Sequence, residues 1–444
     1  MTINKKIYLG LLSAIFSILV TPGFALAASA PQVDTGDTAF ILICSALVLI
    51  MTPGLALFYG GMVQKKNVLS VLMQCLFIMA LVSVQWVLAG YSMAFGPDHA
   101  GLIGGLDWLG LHGVGIEPFE AYSATIPHQA FAAFQLMFAI ITVGLIIGAF
   151  AERMRFSAFV LFVTLWVTLV YSPVAHWVWG VGGWLRELGA LDFAGGTVVH
   201  ISSGVSGLVA AIVIGRRVGS SRGTIPHNLP MTVTGAALLW FGWFGFNAGS
   251  ALGANGLAAS AFLVTNTAAA AAIMSWMLAE WLDHGKPTTL GAASGAIAGL
   301  VAITPAAGFV GPGAAIIIGL LVSPICYFAV SRLKVKLGYD DALDAFGIHG
   351  IGGTFGCLAT GVFAANGLIS GNPHQLLVQF ISVIAVYAFA SIMTFIILKA
   401  IGLMVPLRVS EEDEEAGLDL AEHGEDAYID MGLTGIDTTA FSVG

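Results

Sequence analysis

The sequence predicts an all-α polytopic membrane protein with eleven transmembrane helices in the mature chain, arranged as an inverted repeat of spans 1–5 and 6–10 around a central pore. Three observations predict this fold: the composition, the number of long apolar segments and a matched pair of histidines. Of the 444 residues, 58% are hydrophobic and 9% are charged, whereas an ordinary soluble domain has roughly 25% charged residues. The mean hydropathy is +0.92, which is typical of a polytopic membrane protein.

The first residues have the layout of a secretory signal peptide. Lys5 and Lys6 precede an apolar stretch, and small residues follow it. We predict a signal peptide over residues 1–27, with cleavage after Ala27 in preference to Ala30, because a proline would follow the second cut. The alternative is an uncleaved first span.

Beyond the signal peptide, the chain contains eleven apolar segments that are long enough to cross a bilayer as helices. They are centred near residues 50, 80, 140, 167, 204, 240, 268, 297, 321, 355 and 389. They define a predicted membrane domain over residues 35–404. Thirteen of the fourteen basic residues after the signal peptide lie in alternate connections, and only Arg186 lies in the others. This asymmetry predicts that the mature N-terminus lies outside and the C-terminus inside.

Two histidines lie inside these apolar spans, His200 in the fifth and His349 in the tenth, and each follows an aspartate, Asp192 or Asp344. Five is an odd number, so two tandem units of five spans have opposite orientations, and a shared site lies near the midplane. An ionisable side chain at membrane depth marks a functional site by default. The alternatives are packing histidines and, for the two aspartates, simple helix caps.

The predicted pore offers little polar chemistry besides these imidazoles. A bare metal ion or a sugar requires rings of carboxylates, carbonyls or hydroxyls, and the mid-span stretches contain no such cluster. A metal site is disfavoured as well, because no Cys, Glu or third His lies at ligand spacing. The pattern therefore favours a small neutral molecule, or a cation that loses its charge on entering.

Aromatic residues and one serine gather near the predicted outer ends of three spans: Phe134, Phe138, Trp179, Trp243, Phe246 and Ser250. Phe134 and Phe138 are four residues apart and share one helix face. The alternative interpretation is an aromatic belt at the membrane interface, and we assign Trp177 and Trp184 to such a belt.

The composition changes abruptly after residue 404, and we predict an acidic cytoplasmic regulatory tail over residues 405–444. From Glu411 onwards the chain has eleven acidic residues and no Lys or Arg, so the tail accounts for the net charge of −9. A run of this kind is typical of a solvated, disordered segment. The competing interpretation is a docking segment, because the tail also contains Leu418, Leu420, Tyr428 and Met431.

Several stretches together resemble the ammonium transporter family, the bacterial Amt proteins related to the Rh glycoproteins. They are ALFYGG, ITVGLIIGAFAERMRFSA, GALDFAGGTVVHI, GWFGFNAGS, GAIAGLV and DAFGIHGIGG. The resemblance covers about residues 35 to 430. It implies ammonium uptake across the bacterial cytoplasmic (inner) membrane for nitrogen assimilation, by a homotrimer with one pore per subunit, without a cofactor and without enzymatic activity.

The resemblance also implies roles for individual residues, in which ammonium is bound and deprotonated and ammonia then passes through the pore. By this resemblance, Phe138, Trp179 and Ser250 bind ammonium, with Trp243 beside them. Phe134 and Phe246 form a gate of stacked rings. His200 and His349 bind ammonia and relay the proton, and Asp192 supports the binding site. The same residues serve net ammonium transport, ammonia with a separately carried proton, and ammonia alone, so the transported species stays open.

The tail sequence GLDLAEHGEDAY resembles the family's C-terminal segment. Family members with this segment are commonly blocked by a PII-type signal protein at the cytoplasmic face, and we expect that partner here. Two alternatives belong to other functional classes: an ammonium sensor and a membrane-embedded hydrolase with a His–Asp pair. The chain has no serine-nucleophile motif and no HExxH, which disfavours the hydrolase.

Overall fold

A computed structural model describes residues 32–219 and 225–428 of the chain. The predicted signal peptide over residues 1–27 lies outside the described residues, as do residues 429–444. Eleven apolar helices follow one another in the described part: α1 (Thr35–Met62), α2 (Lys65–Phe95), α3 (His128–Phe150), α4 (Phe156–Glu187), α5 (Gly196–Ile214), α6 (Leu229–Gly249), α7 (Gly256–His284), α8 (Thr289–Ile303), α9 (Pro312–Leu337), α10 (Phe346–Ser370) and α11 (Pro373–Gly402).

The helices confirm the predicted all-α membrane fold. In the described residues, ten of them are long and apolar enough to cross a bilayer, and α8 is a shorter apolar helix of 15 residues. All eleven predicted span centres fall inside these helices. The predicted count of eleven is consistent with this arrangement, with α8 in the place of the eighth span.

Polar caps define where several helices begin. The Asp34 side chain accepts a hydrogen bond from Asp37 N at 2.8 Å at the start of α1. Asn228, Asn255 and Thr288 accept backbone N–H groups in the same way at the starts of α6, α7 and α8. Such side chains satisfy N–H groups that have no partner within the helix.

The two five-helix halves share a distinctive local geometry. A π-helical turn occurs inside α4 (Val167–Tyr171) and inside α9 (Ala329–Leu333), the fourth helix of each half. Another begins α5 (Gly196–Ile201) and α10 (Phe346–Gly350), the fifth helix of each half. Single π turns are rare and frequently occur at functional sites. Their matched positions agree with the predicted repeat.

The first helices of the two halves, α1 and α6, pack together through small residues. A Cβ on Gly235 would lie 2.2 Å from Phe58 N, and one on Gly61 would lie 2.3 Å from the Thr232 hydroxyl oxygen. Gly242 is equally close to Met51. Glycine therefore allows the two backbones to approach closely, as is common between transmembrane helices.

The two ends of the helix bundle differ. At one end, which we call the hairpin face, two short antiparallel strands, β1 (Asp98–His99) and β2 (Ile103–Gly104), precede a long loop. At the other end, the tail face, the chain forms two short helices after α11, α12 (Glu411–Ala416) and α13 (Leu418–His423).

The described part of the tail is docked on the bundle, which contradicts the interpretation of a solvated, disordered run for residues 405–428. The Asp419 carboxylate accepts the backbone N–H groups of Leu69 and Ser70 at 3.0 and 2.8 Å. Glu414 is buried and accepts from Val218 N at 2.6 Å. These carboxylates are partners of the bundle and do not simply face water.

Candidate functional site

A row of cavities leads through the helix bundle from the hairpin face to the tail face. The first, which we call the vestibule, has a volume of about 220 Å³ and opens on the hairpin face. The second, the lumen, has a volume of about 10 Å³ and contains both histidines in its wall. Two further cavities of about 60 and 490 Å³ continue towards the tail face.

The vestibule contains three of the predicted binding residues, Phe138, Trp179 and Ser250. The rings of Phe138 and Trp179 meet edge to face, with centroids 5.7 Å apart. Aromatic faces attract cations, by about 0.5 kcal/mol at exposed sites and about 2 kcal/mol when desolvated. The vestibule also includes Arg186, whose Nη1 donates to the carbonyl oxygen of Trp179 at 2.6 Å.

Two polar side chains of the vestibule, Ser250 and Trp179, have their donors engaged. Ser250 Oγ donates to the Phe246 carbonyl oxygen at 2.9 Å, which leaves the hydroxyl lone pairs free to accept. Trp179 Nε1 donates to the carbonyl oxygen of Asp192 at 2.9 Å, which fixes the indole ring. These two side chains therefore offer an acceptor and a ring face, the complement of a ligand that donates N–H groups.

A pair of phenyl rings in tilted contact separates the vestibule from the lumen. It consists of Phe138 and Phe246, whose centroids are 4.3 Å apart at an interplanar angle of 32°. Phe134, which we predicted as the partner of Phe246, instead meets Phe138 edge on at 5.0 Å and packs against Gly249. The structure thus corrects the predicted pair: Phe138 contacts both Trp179 and Phe246.

Trp243 lies deeper than predicted. We expected it beside the vestibule, but its ring stacks on His200 at a centroid distance of 5.4 Å, and it lines the lumen. Its Nε1 donates to the Thr304 hydroxyl at 2.8 Å. The spacing contained this signal, because Ser250, Phe246 and Trp243 follow one another by about one turn along a single helix.

The two imidazoles are in direct contact inside the lumen. His200 Nδ1 and His349 Nδ1 are 3.3 Å apart, and the rings stack with centroids 5.3 Å apart. Only one of the two Nδ1 atoms can carry the shared proton when both rings are neutral. One ring then keeps a donor at Nε2 and the other an acceptor. Among the described residues, His200 Nε2 has no hydrogen-bond partner.

Glycines allow the two histidine-bearing helices, α5 and α10, to cross in close contact. A Cβ on Gly204 would lie 2.2 Å from Gly350 N, and one on Gly353 would lie 3.0 Å from His200 Cβ. Each glycine follows its own helix's histidine by four residues. The crossing therefore holds the imidazoles against each other.

The aspartate that caps each histidine-bearing helix is eight residues before the histidine. Asp192 accepts the backbone N–H groups of Gly195, Gly196 and Thr197 at 2.6–2.7 Å. In the second half, Asp341 takes this place and accepts from Ala345 N at 3.1 Å and Phe346 N at 2.8 Å.

Asp344, which we matched to Asp192 by sequence, has a different environment. Its side chain pairs with Lys334, and its φ of +60° is unusual for a residue with a side chain. The structure therefore corrects the match from Asp344 to Asp341. The equal offset of eight residues was the signal for it. Burial raises the pKa of the Asp341 carboxyl to about 6, and the nearby Asp344 adds to the increase.

The cavity of about 490 Å³ on the tail face contains charged residues that form ion pairs. Arg217 contacts both Asp340, at 2.7 Å, and Glu152, at 2.5 Å. Burial opposes ionisation of Asp340, but its hydrogen bonds with Arg217 hold the pKa of that carboxyl at about 2. The charged residues thus lie beyond the apolar lumen and not within it.

Comparison with known proteins agrees with this architecture. The sequence model of the family described as Ammonium Transporter Family matches residues 39–428. Over 403 residues the chain is 59% identical to the ammonium transporter of Bacillus subtilis, covering 89% of this chain and 99% of that protein. It is 48% identical over 401 residues to the ammonium transporter Amt1 of Archaeoglobus fulgidus, covering 88% and 99%.

Two solved structures are similar in fold as well. Mep2 of Saccharomyces cerevisiae has a TM-score of 0.83 and 38% identity, covering 91% of this chain and 93% of Mep2. A structure titled Sensor Amt Protein has a TM-score of 0.81 and 30% identity, covering 87% of this chain and 98% of that one.

Proposed function

The chain belongs to the ammonium transporter family, and we propose that it takes up ammonium by binding it in the vestibule, removing a proton and conducting ammonia through the lumen. The observation that carries this proposal is the contact between His200 and His349, with their Nδ1 atoms 3.3 Å apart inside an otherwise apolar cavity. The proton is relayed separately, through the imidazole pair.

The energetics favour deprotonation over passage of the intact cation. Moving a bare monovalent ion from water into a medium of low dielectric constant costs on the order of 20 kcal/mol by idealised Born arithmetic. Removing a proton from an amine-like group with a pKa of about 9 to 10 costs about 3 to 4 kcal/mol at pH 7. Potassium has no proton to lose, so the lumen excludes it.

Each cavity supplies one step. In the vestibule, the faces of Phe138 and Trp179 attract the cation, and the free lone pairs of Ser250 accept one of its N–H groups. Asp192 takes part indirectly, because its carbonyl oxygen holds the Trp179 indole. The Phe138–Phe246 pair is the gate, in place of the Phe134–Phe246 pair.

The imidazole pair suits the neutral substrate. Ammonia both donates and accepts hydrogen bonds, and two neutral imidazoles that share one Nδ1 proton offer one Nε2 donor and one Nε2 acceptor. The volume of the lumen, about 10 Å³, corresponds to about one water-sized molecule. Trp243 holds the plane of His200 by stacking on it.

We place the tail face in the cytoplasm and the hairpin face outside the inner membrane. The support is the positive-inside pattern, since Lys65, Lys66, Arg153 and Arg217 all belong to connections on the tail face. We further propose a signal peptide over residues 1–27, because Lys5 and Lys6 precede an apolar stretch and then small residues. We also propose a homotrimer with one pore per subunit and a PII-type regulator that binds the tail face, because the family resemblance implies both.

The test is an ammonium jump applied to the purified protein in liposomes, with simultaneous recording of current and internal pH. The wild type is expected to give a sustained ammonium-dependent current, and His200→Ala is expected to reduce it at least about ten-fold, since positioned acid–base groups contribute about that much or more. His112→Ala, which changes an exposed histidine, is the matched control and should match the wild type.

The other outcomes separate the alternatives. Internal alkalinisation without current means that ammonia crosses alone, and the proton relay is then wrong. Ammonium binding without current or alkalinisation indicates a sensor, and the transport proposal fails.

A further inference from the structure

Gln135 is a polar residue in the wall of the vestibule that the proposed pathway does not use. It lies on the same face of α3 as Phe131 and Phe138, four residues after the first and three before the second. All three residues line the vestibule together with Trp179 and Ser250. The Gln135 side chain thus shares one cavity with the proposed ammonium-binding residues.

Among the described residues, the buried side-chain oxygen of Gln135, Oε1, has no hydrogen-bond partner. The residue is only 9% exposed. A buried carbonyl oxygen without a partner is uncommon in native proteins and needs a specific explanation. Its neighbours on the same helix face, Phe131 and Phe138, are hydrocarbon rings and offer no donor.

The proposed substrate supplies the missing donor. Ammonium carries four N–H groups, whereas the pathway described above gives it one oxygen acceptor, Ser250, and two ring faces. The Oε1 atom is occluded from the vestibule in the orientation described, but the terminal torsion of a glutamine side chain is broad and roughly two-fold, so rotation of the amide turns Oε1 towards the vestibule. A cation repels the NH₂ end and attracts the carbonyl end.

We propose that the Gln135 carbonyl accepts a hydrogen bond from ammonium in the vestibule and sets the preference of this site for ammonium over methylammonium. The inference rests on the proposed function of the vestibule. Methylammonium has one N–H fewer than ammonium. A site with two oxygen acceptors and two ring faces can interact with all four N–H groups of ammonium. Loss of one acceptor therefore penalises ammonium more, because methylammonium can direct its methyl group towards the vacated position.

Arg186 places a positive charge in the wall of the vestibule. Arg186 is the only basic residue outside the predicted signal peptide that belongs to an outer connection, and it lies in the same cavity wall. Its positive charge opposes the entry of a cation. The carbonyl dipole of Gln135 offsets part of this repulsion inside the vestibule, where water screens it less than at the rim.

The experiment measures ammonium- and methylammonium-dependent currents in liposomes as a function of concentration, for the wild type, Gln135→Leu and Gln135→Glu. Gln135→Leu is expected to raise the ammonium concentration for half-maximal current about ten-fold, with little change in the maximal current. It should also reduce the preference for ammonium over methylammonium. Gln135→Glu keeps an acceptor and adds a negative charge, so it should restore or tighten half-saturation, most clearly at low salt.

Gln85→Leu is the matched control. Gln85 also has an unpartnered Oε1 among the described residues, but its Nε2 donates to the Thr164 carbonyl oxygen and it does not line the vestibule. This variant should keep the wild-type half-saturation and preference. If Gln135→Leu does not fold, Gln135→Asn withdraws the carbonyl by one methylene while keeping the amide, and it should give the same direction of change.

An unchanged half-saturation and an unchanged preference in Gln135→Leu, or in Gln135→Asn in its place, overturn the inference. The inference is also contradicted if Gln135→Glu and Gln135→Leu are equally impaired, because a side chain that serves only to pack the cavity wall gives that result. Failure of the proposed function is distinguishable, since the wild type itself would then show no ammonium-dependent signal.

Discussion

Hydrogen bonds to one or two neighbours determine whether each polar side chain along the pore can donate to a ligand or accept from it. Ser250 donates to its own helix and so can only accept from a ligand. Trp179 donates to the Asp192 carbonyl oxygen and so presents its ring. The Nδ1 atoms of the two histidines face each other at 3.3 Å, so only one of them can carry a proton when both rings are neutral. The chemistry of the pore therefore depends on which donor each side chain has already used.

Sequence reasoning located these residues but did not fully order them. Phe134 and Phe138 share a helix face, and only the packed side chains show that Phe138 is the one whose ring contacts Phe246. The assignment of Trp243 to the vestibule was wrong by about one helical turn. Gln135 was missed because an unpartnered oxygen is visible only when all its neighbours are known.

The buried carboxyl of Asp341 leads to a prediction about pH. Its pKa is raised from 3.8 to about 6 in the folded protein, so the free energy of unfolding falls as the pH rises from about 4 to about 6. Asp341→Asn keeps an acceptor for the helix cap and removes this dependence. Between pH 5 and pH 7.5, the stability of the variant relative to the wild type should increase by about 1 kcal/mol.

Thermal unfolding in detergent at the two pH values provides the measurement. Asp340→Asn is the control, because the pKa of Asp340 is lowered to about 2 and its contribution is lost only as the pH falls below about 4. That variant should be destabilised equally at pH 5 and pH 7.5. A constant difference between Asp341→Asn and the wild type across this range would contradict the prediction.

Among the elements, α5 and α10 are the pair on which the pore depends. Both begin with a π turn that contains the histidine, both are capped by an aspartate eight residues before it, and both cross at a glycine four residues after it. The hydropathy of the sequence predicted both helices and their pairing through the repeat. It did not predict the π turns, which depend on how the two helices fit together.

This crossing predicts a strong effect of a single methyl group. In Gly204→Ala the added Cβ would meet Gly350 N at 2.2 Å, so the α10 backbone must move. We expect a destabilisation of about 1–3 kcal/mol and a smaller ammonium-dependent current, because the His349 ring moves with its backbone. Thermal unfolding and the liposome current measure the two effects.

Gly313→Ala is the control for this substitution. Gly313 lies in α9 with nothing within 4 Å of the added Cβ, so stability and current should both stay close to the wild type. Equal behaviour of the two alanine variants would show that the crossing tolerates a methyl group.

In the whole molecule, the tail face joins segments that are far apart in the sequence. The backbone N–H of Val218 donates to Glu414 at 2.6 Å, and Phe156 N donates to Glu422 at 3.0 Å. Tyr428 forms a hydrogen bond of 2.9 Å with His227. The apolar residues of the tail indicated docking, but the acidic composition concealed it, because charged runs are usually solvated.

The docked tail predicts how the proposed regulator acts. Deletion from Glu411 onwards should leave ammonium transport largely intact, since the tail does not line the lumen, and should weaken block by a PII-type protein several-fold. The measurement is the liposome current titrated with that protein, normalised to the amount of folded transporter.

Deletion of residues 432–444 alone serves as the comparison, because it keeps the docked segment. It should be blocked like the full chain. A deletion from Glu411 that is still fully inhibited would show that the regulator does not use the tail.

The cap that Asp419 provides for α2 also has a consequence for the order of biosynthesis. The residues it joins are 349 and 350 positions apart, so the second helix is made early and its final partner very late. At about 5–20 residues per second, roughly 20–70 s of translation separate the two. During that interval α2 has left the ribosome, but the backbone N–H groups of Leu69 and Ser70 at its start still lack the Asp419 carboxylate. A nascent chain that stops short of Asp419 leaves the Leu69 and Ser70 N–H groups without this carboxylate partner.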